Sequence, residues 1–412
     1  MEKVRLDRSI CGQAEPMSKI VHIITRFVNG GADENTLLTC NAQAASGHDV
    51  SLVYGADNTN RMVAQLDARV RRVCLPSLVR EIALAKDVTT LFRLARLMRR
   101  LRPDVVHTHT SKAGIIGRVA ALASPGAVIV HGVHILPFTA KRGAQRLIYL
   151  GLEKLMALTT HAFINVSDGM RDECLAHGIG RPERHWVIES GMDVAKFRGA
   201  LPAGDILSGI SAADVPIRVG YVAALERRKR HRELLEAVVP LLKRHMAMQL
   251  VLAGEGPERQ ALETAAREAG VEAQVRLLGF RDDVEAVLAA CDVCVFVSER
   301  EGLPRALVQY ALAGKPIVAT RLPGIERVLQ HDRNGYLVDT DSFDEFTRRL
   351  EALIVDPELR ETMAARSMVI DLSDWDAARM TERIDGVYEA LLARRSLAGG
   401  RAAWRSRRGR LI

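Results

Sequence analysis

The chain has 412 residues, 48% of them hydrophobic and 26% charged, which is more than one hydrophobic core usually covers and excludes both a lone small module and a disordered chain. Aromatic residues make up 4%, few for a protein that stacks single-stranded bases on rings, so nucleic acid is not an expected partner. The net charge of +8 gathers at one end, where Arg394, Arg395, Arg401, Arg405, Arg407, Arg408 and Arg410 fall in the last 19 residues with no acid among them.

Residues 1–16 carry no periodic pattern and read as a disordered extension without the features of a signal peptide. No uncharged apolar run reaches 18 residues, and the cysteines are scattered, so the expected location is the cytoplasm. From residue 17 short apolar runs alternate with helical patterns, as βα units on a parallel sheet do. Runs at 19–25, 48–54, 104–109, 127–133 and 161–167 predict the strands of a domain over 17–200, and the Gly-, Ser- and Pro-containing stretch 201–216 predicts a linker. A second series at 217–223, 248–254, 273–279, 292–298 and 315–320 predicts a domain over 217–372. A last helical pattern over 373–393 is expected to cross back over both halves, followed by the basic tail 394–412. The fold class is therefore α/β: two Rossmann-like domains facing across a cleft at the carboxyl ends of their strands, where ligands bind in such sheets.

The most informative segment is SEREGLPRALVQYALAGKPIVAT (298–320). A strand ends at Ser298, a turn with Glu301, Gly302, Leu303 and Pro304 follows, and a helix begins near Pro304, a residue suited to a first helical turn. Glu301 offers an acceptor at the strand end and Gln309, one to two turns into the helix, a second polar group, which suits a hydroxyl-rich ligand. A run of cations, Arg227 to Arg230, follows the strand 217–223, and Gly30-Gly31 follows the first strand, where the backbone can approach a ligand closely. Other features have plainer readings. Gly254-Glu255-Gly256-Pro257 reads as a tight turn, Cys291-x-x-Cys294 as a buried strand pair, and Asp339-Thr340-Asp341 as structural. A zinc site from His107, His109 and His131 lacks an acid or cysteine to complete it, so these read as strand-end polar residues and no metal is expected.

The segment 298–320 resembles the donor-binding motif of the family-4 retaining glycosyltransferases of the GT-B fold, a Glu followed eight residues later by another Glu. The first is Glu301; Gln309 stands at the second. The resemblance extends over most of residues 19–392. It implies that Glu301 contacts the donor sugar, that Gln309 hydrogen-bonds the ribose, and that Lys229 holds the donor diphosphate, with Arg227, Arg228 or Arg230 in place of the usual arginine, whose Gly-Arg position is Ala223-Ala224. It also implies that Gly30 and Gly31 approach the donor phosphate, that Phe280 neighbours the base, and that Gly302 and Leu303 belong to the same donor-binding turn. The stretches DVVHTHTSKAGIIGRVAA and VIVHGVHILPF resemble the branch that builds lipid-linked surface polysaccharides, with His134 matching the histidine that reaches the donor sugar and Ile135 replacing the usual glycine after it.

The implied reaction is retaining transfer from a nucleotide sugar, a UDP-sugar over a GDP-sugar, to a glycan or polyprenyl-diphosphate-linked acceptor, without cofactor or metal. The helical pattern 91–103 places Leu91, Leu94, Leu97, Met98 and Leu101 on one side among arginines. That pattern fits either a core helix or a helix in an anionic membrane surface, and with the arginine-rich tail it motivates a peripheral position on the inner face of the plasma membrane. The alternative is a non-catalytic subunit of the same fold that supports a partner enzyme.

Overall fold

The computed structural model describes residues 17–408 apart from 29, 137, 139–142, 208–216, 300, 302, 303 and 323, with side chains through residue 397. The extension 1–16, Gly302 and Leu303 of the donor turn, and most of the expected linker therefore lie outside the described residues.

The strands are β1 (Lys19–Ile24), β2 (Asp49–Gly55), β3 (Arg71–Leu75), β4 (Val105–His109), β5 (Val128–Val133), β6 (Ala162–Asn165), β7 (His185–Val187), β8 (Arg218–Val222), β9 (Gln249–Ala253), β10 (Val275–Gly279), β11 (Val293–Phe296), β12 (Ile317–Thr320) and β13 (Gly335–Val338). They form two sheets, ordered β3-β2-β1-β4-β5-β6-β7 and β10-β9-β8-β11-β12-β13. The central pairings, β1 with β2 and β4 and β8 with β9 and β11, are parallel. All ten predicted runs contain a strand. Among the described residues the strands not predicted, β3, β7 and β13, lie at sheet edges. Strands buried on both faces read as continuous apolar runs, whereas β3 is the charged sequence RRVCL and β7 spans three residues.

Each sheet reverses its strand order once, between β1 and β4 in the first and between β8 and β11 in the second. These are the switch points, where the loops leaving two neighbouring strands diverge and leave a crevice for a ligand. Two compact units result. One runs to Gly132 and adds the segment ending at Phe163 and the chain from Gly386; the other holds Ile164–Asp385 with the short segment that begins at Val133. The last helix, Ala377–Arg408, is divided between them. It extends beyond the predicted end at 393 and includes most of the basic tail.

In the first unit apolar clusters cover both faces of the sheet, one containing Val106, Ile129, Leu94 and Met98, the other Leu52, Val50, Leu37 and Cys40. This settles the helix Leu84–Leu101. Leu94 and Met98 are buried, and Leu91, Leu97 and Leu101 pack against the same cluster, so the apolar side proposed for a membrane is the core side. A different stripe of that helix is solvent-facing: Leu84, Val88 and Phe92, 78%, 52% and 70% exposed. In the second unit Cys291 and Cys294 are buried, and burial pushes the Cys291 thiol up to about 12, so neither is a thiolate available to metal or redox chemistry.

Candidate active site

The loops that leave β8 and β11 meet at the second switch point and bring together two charges 72 residues apart in sequence. Lys229 Nζ donates to Glu301 Oε1, and Arg228 Nη1 reaches the same oxygen at 3.2 Å. The pair is largely shielded, with 12% of the Lys229 side chain and 13% of the Glu301 side chain exposed. Burial lowers the Lys229 pKa, against the opposing pull of Glu301. Arg228 is steadied from behind by Glu226 Oε2 at 2.9 Å, and Lys229 Nζ stands 5.8 Å from the Phe296 ring centre.

The backbone of this loop is braced from the core. The Tyr221 hydroxyl donates to the Lys229 carbonyl at 2.8 Å and lies 3.3 Å from Ser298 Oγ, while the Glu299 N–H donates to the Arg228 carbonyl at 2.9 Å. His231 stacks on Tyr221, ring centres 4.6 Å apart, and burial beside Lys229 lowers its pKa to about 4, so it is neutral at physiological pH. Tyr221 and His231 were not singled out in the sequence because each reads there as an ordinary core or helix-start residue, and Ser298 was read only as a strand end. Of the cations that follow β8, Arg230 is directed elsewhere: its Nη1 donates to the Thr340 carbonyl at 2.7 Å and its guanidinium pairs with Asp341. That contact accounts for one carboxylate of the Asp339–Asp341 pair as an ion-pair partner.

The glycines after β9 have a steric reason. A Cβ on Gly254 would lie 1.9 Å from the Ala223 carbonyl oxygen, and one on Gly256 2.4 Å from that of Leu225. The turn 254–257 is thus pressed, backbone to backbone, against the loop that carries the cations. One strand further along, Phe280 follows the end of β10 and is 51% exposed.

The helix Arg305–Leu312 begins directly after Pro304, and Gln309 lies within it, partly buried, its side-chain amide making no hydrogen bond to any described residue. Arg305, at the start of this helix, donates to the Gly191 carbonyl at 3.0 Å and lies near His134. Burial first, and the Arg305 charge second, hold the His134 pKa at about 4, so its imidazole is neutral and can donate or accept one hydrogen bond but not supply a proton. His134 therefore falls in the same unit as Lys229, Glu301 and Gln309, which its place in the sequence does not announce.

Gly30 and Gly31 belong to the first unit. Gly30 caps the helix Gly31–Ala45, where Asp33 Oδ2 accepts from the backbone N–H groups of Gly30 at 2.9 Å and Val28 at 3.2 Å. Burial nonetheless raises the Asp33 carboxyl to about 6.

Two parallel Rossmann-like sheets in two units are the architecture of the GT-B fold, and a paired Lys and Glu stands at the switch point of the second. Residues 29–196 match the model of Glycosyltransferase Family 4 and residues 210–368 that of Glycosyl transferases group 1. The chain belongs to this family and is a glycosyltransferase of the hexosyltransferase type. It is 26% identical, over 90% of its length and 96% of the relative's, to the UDP-Gal:alpha-D-GlcNAc-diphosphoundecaprenol alpha-1,3-galactosyltransferase of Escherichia coli. It is 27% identical to the putative glycosyltransferase EpsD of Bacillus subtilis, over 70% of this chain and 77% of that one. Its fold matches Anabaena Alr3699/HepE, solved in complex with UDP and glucose, with a TM-score of 0.75 at 20% identity, covering 90% of this chain and 100% of that one.

Proposed function

We propose that the chain transfers a sugar, with retention at the anomeric carbon, from a nucleotide sugar to a glycan or polyprenyl-diphosphate-linked acceptor in surface-polysaccharide synthesis, and that it prefers UDP- to GDP-linked donors. The shielded pair of Lys229 and Glu301, with the exposed Arg228 on the same carboxylate oxygen, carries this reading. Without donor, the cations neutralise Glu301. With donor, the diphosphate takes over Lys229 and Arg228, and Glu301 is released to accept hydrogen bonds from sugar hydroxyls. His134, held neutral, adds a hydrogen bond to the sugar, Gln309 binds the ribose diol, and Phe280 lies against the base.

In the transfer the anomeric carbon–oxygen bond to phosphate breaks as the acceptor oxygen bonds to the same face. The acceptor proton passes to the departing phosphate oxygen, and Lys229 and Arg228 stabilise the charge that develops there, the main catalytic contribution. Two side-chain cations suffice for that charge, so the step needs no metal ion. The donor preference and lipid-linked acceptor are supported by the E. coli relative, whose name specifies both a UDP-sugar and a diphosphoundecaprenol acceptor.

The peripheral membrane position now rests on the exposed Leu84, Val88 and Phe92 beside Arg93, Arg96, Arg99 and Arg100. An apolar stripe bordered by cations suits an anionic interface. No described helix is long and apolar enough to cross a membrane.

The test is transfer from UDP- and GDP-hexoses to a polyprenyl-diphosphate-linked sugar, with the anomeric configuration of the product read by NMR. A product of unchanged configuration from a UDP-sugar is expected. An inverted product, or turnover with GDP-sugars alone, contradicts the proposal.

A further inference from the structure

At the switch point of the first sheet three histidines converge. His22 on β1 and His107 on β4 are direct register partners, and His109 follows two residues on, on the same face of its strand. They are 0%, 2% and 1% exposed, and one ring nitrogen from each lies within 4.8 Å of the other two. We propose that His22, His107 and His109 bind one divalent ion of the zinc class, a structural ion of the first unit with no part in the transfer step.

Three imidazoles on one tetrahedral ion, each nitrogen about 2.0–2.1 Å from it, place their ring centres about 5 Å apart. Here the centres are 5.2 Å apart for His22 and His107, 5.3 Å for His22 and His109, and 4.1 Å for His107 and His109. His22 Nδ1 and His109 Nε2 are hydrogen-bonded at 3.0 Å, a contact that the ion would replace. Two of the rings are also held from outside, as metal-ligating histidines are. His22 Nε2 lies 2.8 Å from Gln43 Oε1, an atom that can only accept, which puts the proton on Nε2 and turns the Nδ1 lone pair inward. His107 Nδ1 lies 2.6 Å from the Tyr388 hydroxyl, so Nε2 is the nitrogen it offers.

The ligand set is three imidazoles, with a water or hydroxide in the fourth position. Imidazole-only ligation suits zinc, copper and nickel rather than magnesium or calcium. The sequence suggested a different trio. His131 is not a member, because its Nδ1 lies 2.9 Å from the Thr108 hydroxyl on the opposite face of β4, and His22, 85 residues before His107, takes its place. The ion would fasten β1 to β4 and, through Tyr388, to the last helix.

The experiment uses the full chain, purified without a histidine tag, stripped by chelator and titrated with cobalt(II), whose visible absorption reports tetrahedral binding. Saturation at one equivalent is expected, with bleaching by zinc. His22→Gln and His109→Gln should abolish the absorption, His131→Gln should keep it, and Gln43→Ala or Tyr388→Phe should weaken affinity about 10- to 100-fold. No saturable absorption in the folded wild-type protein overturns the proposal, as does absorption unchanged by His22→Gln and His109→Gln. If the histidine variants do not fold, the wild-type titration and the two outer variants decide.

Discussion

Lys229 and Glu301 form a shielded ion pair, and the proposed function has that pair exchanged on donor binding for a diphosphate on one partner and sugar hydroxyls on the other. Removing Glu301 takes the carboxylate away from the shielded Lys229, removing Lys229 leaves Glu301 with Arg228 alone, and on the proposed reading each change removes one stabiliser of the transition state. Lys229→Ala and Glu301→Ala should each lower turnover about 10²–10³-fold, measured as release of nucleoside diphosphate in the presence of acceptor; near-wild-type rates in both would displace the site. Gln309 lies where the resemblance implies a second Glu. A carboxylate there would make charge-assisted bonds about twice as strong as those of the amide, so Gln309→Glu should lower the donor KM roughly fivefold, about 1 kcal/mol, with kcat little changed. An unchanged or higher KM would remove the ribose role. Lys229 and Glu301 were legible in the sequence as charged groups at strand ends, which the structure brings together, while the roles given to them and to Gln309 come from the family resemblance. Tyr221, His231 and Arg305 were not, because what they brace depends on which strands become neighbours, and that is decided by the sheet order.

At the scale of elements, the loop that carries the cations is shaped by its neighbour. Gly254 permits an approach that no side chain allows, its Cβ falling 1.9 Å from a carbonyl oxygen. Gly254→Ala should destabilise the second unit by roughly 3 kcal/mol through overpacking and backbone strain, seen as a lowered melting temperature together with weakened donor binding. A melting temperature within a degree of wild type would contradict this packing. Central strands were legible for the same reason that they are central: buried on both faces, they are apolar throughout. The edge strands β3 and β7 escaped notice, the first for its charges and the second for its length. The helix Leu84–Leu101 shows the limit of a periodic pattern. Its apolar residues point two ways, and only packing distinguishes the core side, with Leu94 and Met98, from the exposed side, with Phe92.

For the whole molecule, buried titratable groups predict how stability follows pH. In the metal-free chain His22 in the first unit, and His134 and His231 in the second, have pKa values lowered from 6.5 to about 4, by burial above all. The unfolded chain therefore takes up these protons first, and stability is lost as pH falls from 6.5 towards 4, by about 3 kcal/mol for each group, with no effect above that window. Asp33, raised to about 6, acts in the opposite sense: between about 6 and 3.8 the folded state holds the extra proton, so acidification favours the fold. Since Asp33 shares a unit with His22, the first unit should be the less sensitive of the two. In the second unit Glu189 adds to the loss: burial raises its pKa, but Arg327 and Arg383 outweigh that and lower it overall, so its contribution disappears as acid protonates it. Calorimetry from pH 7 to 4 should show the transition that nucleotide stabilises falling further than the other; equal shifts would contradict these assignments.

The central claim is that the Lys229, Arg228 and Glu301 group receives a nucleotide-sugar diphosphate, and nucleotide binding to the wild-type chain and to Lys229→Ala tests it most directly. At 100 times its dissociation constant a ligand stabilises the folded state by about 2.7 kcal/mol, a rise of several degrees in melting temperature for domains of this size. A rise with UDP in the wild-type protein that is lost in Lys229→Ala is the expected result. No response to any nucleotide, or an equal response in both proteins, would contradict the assignment.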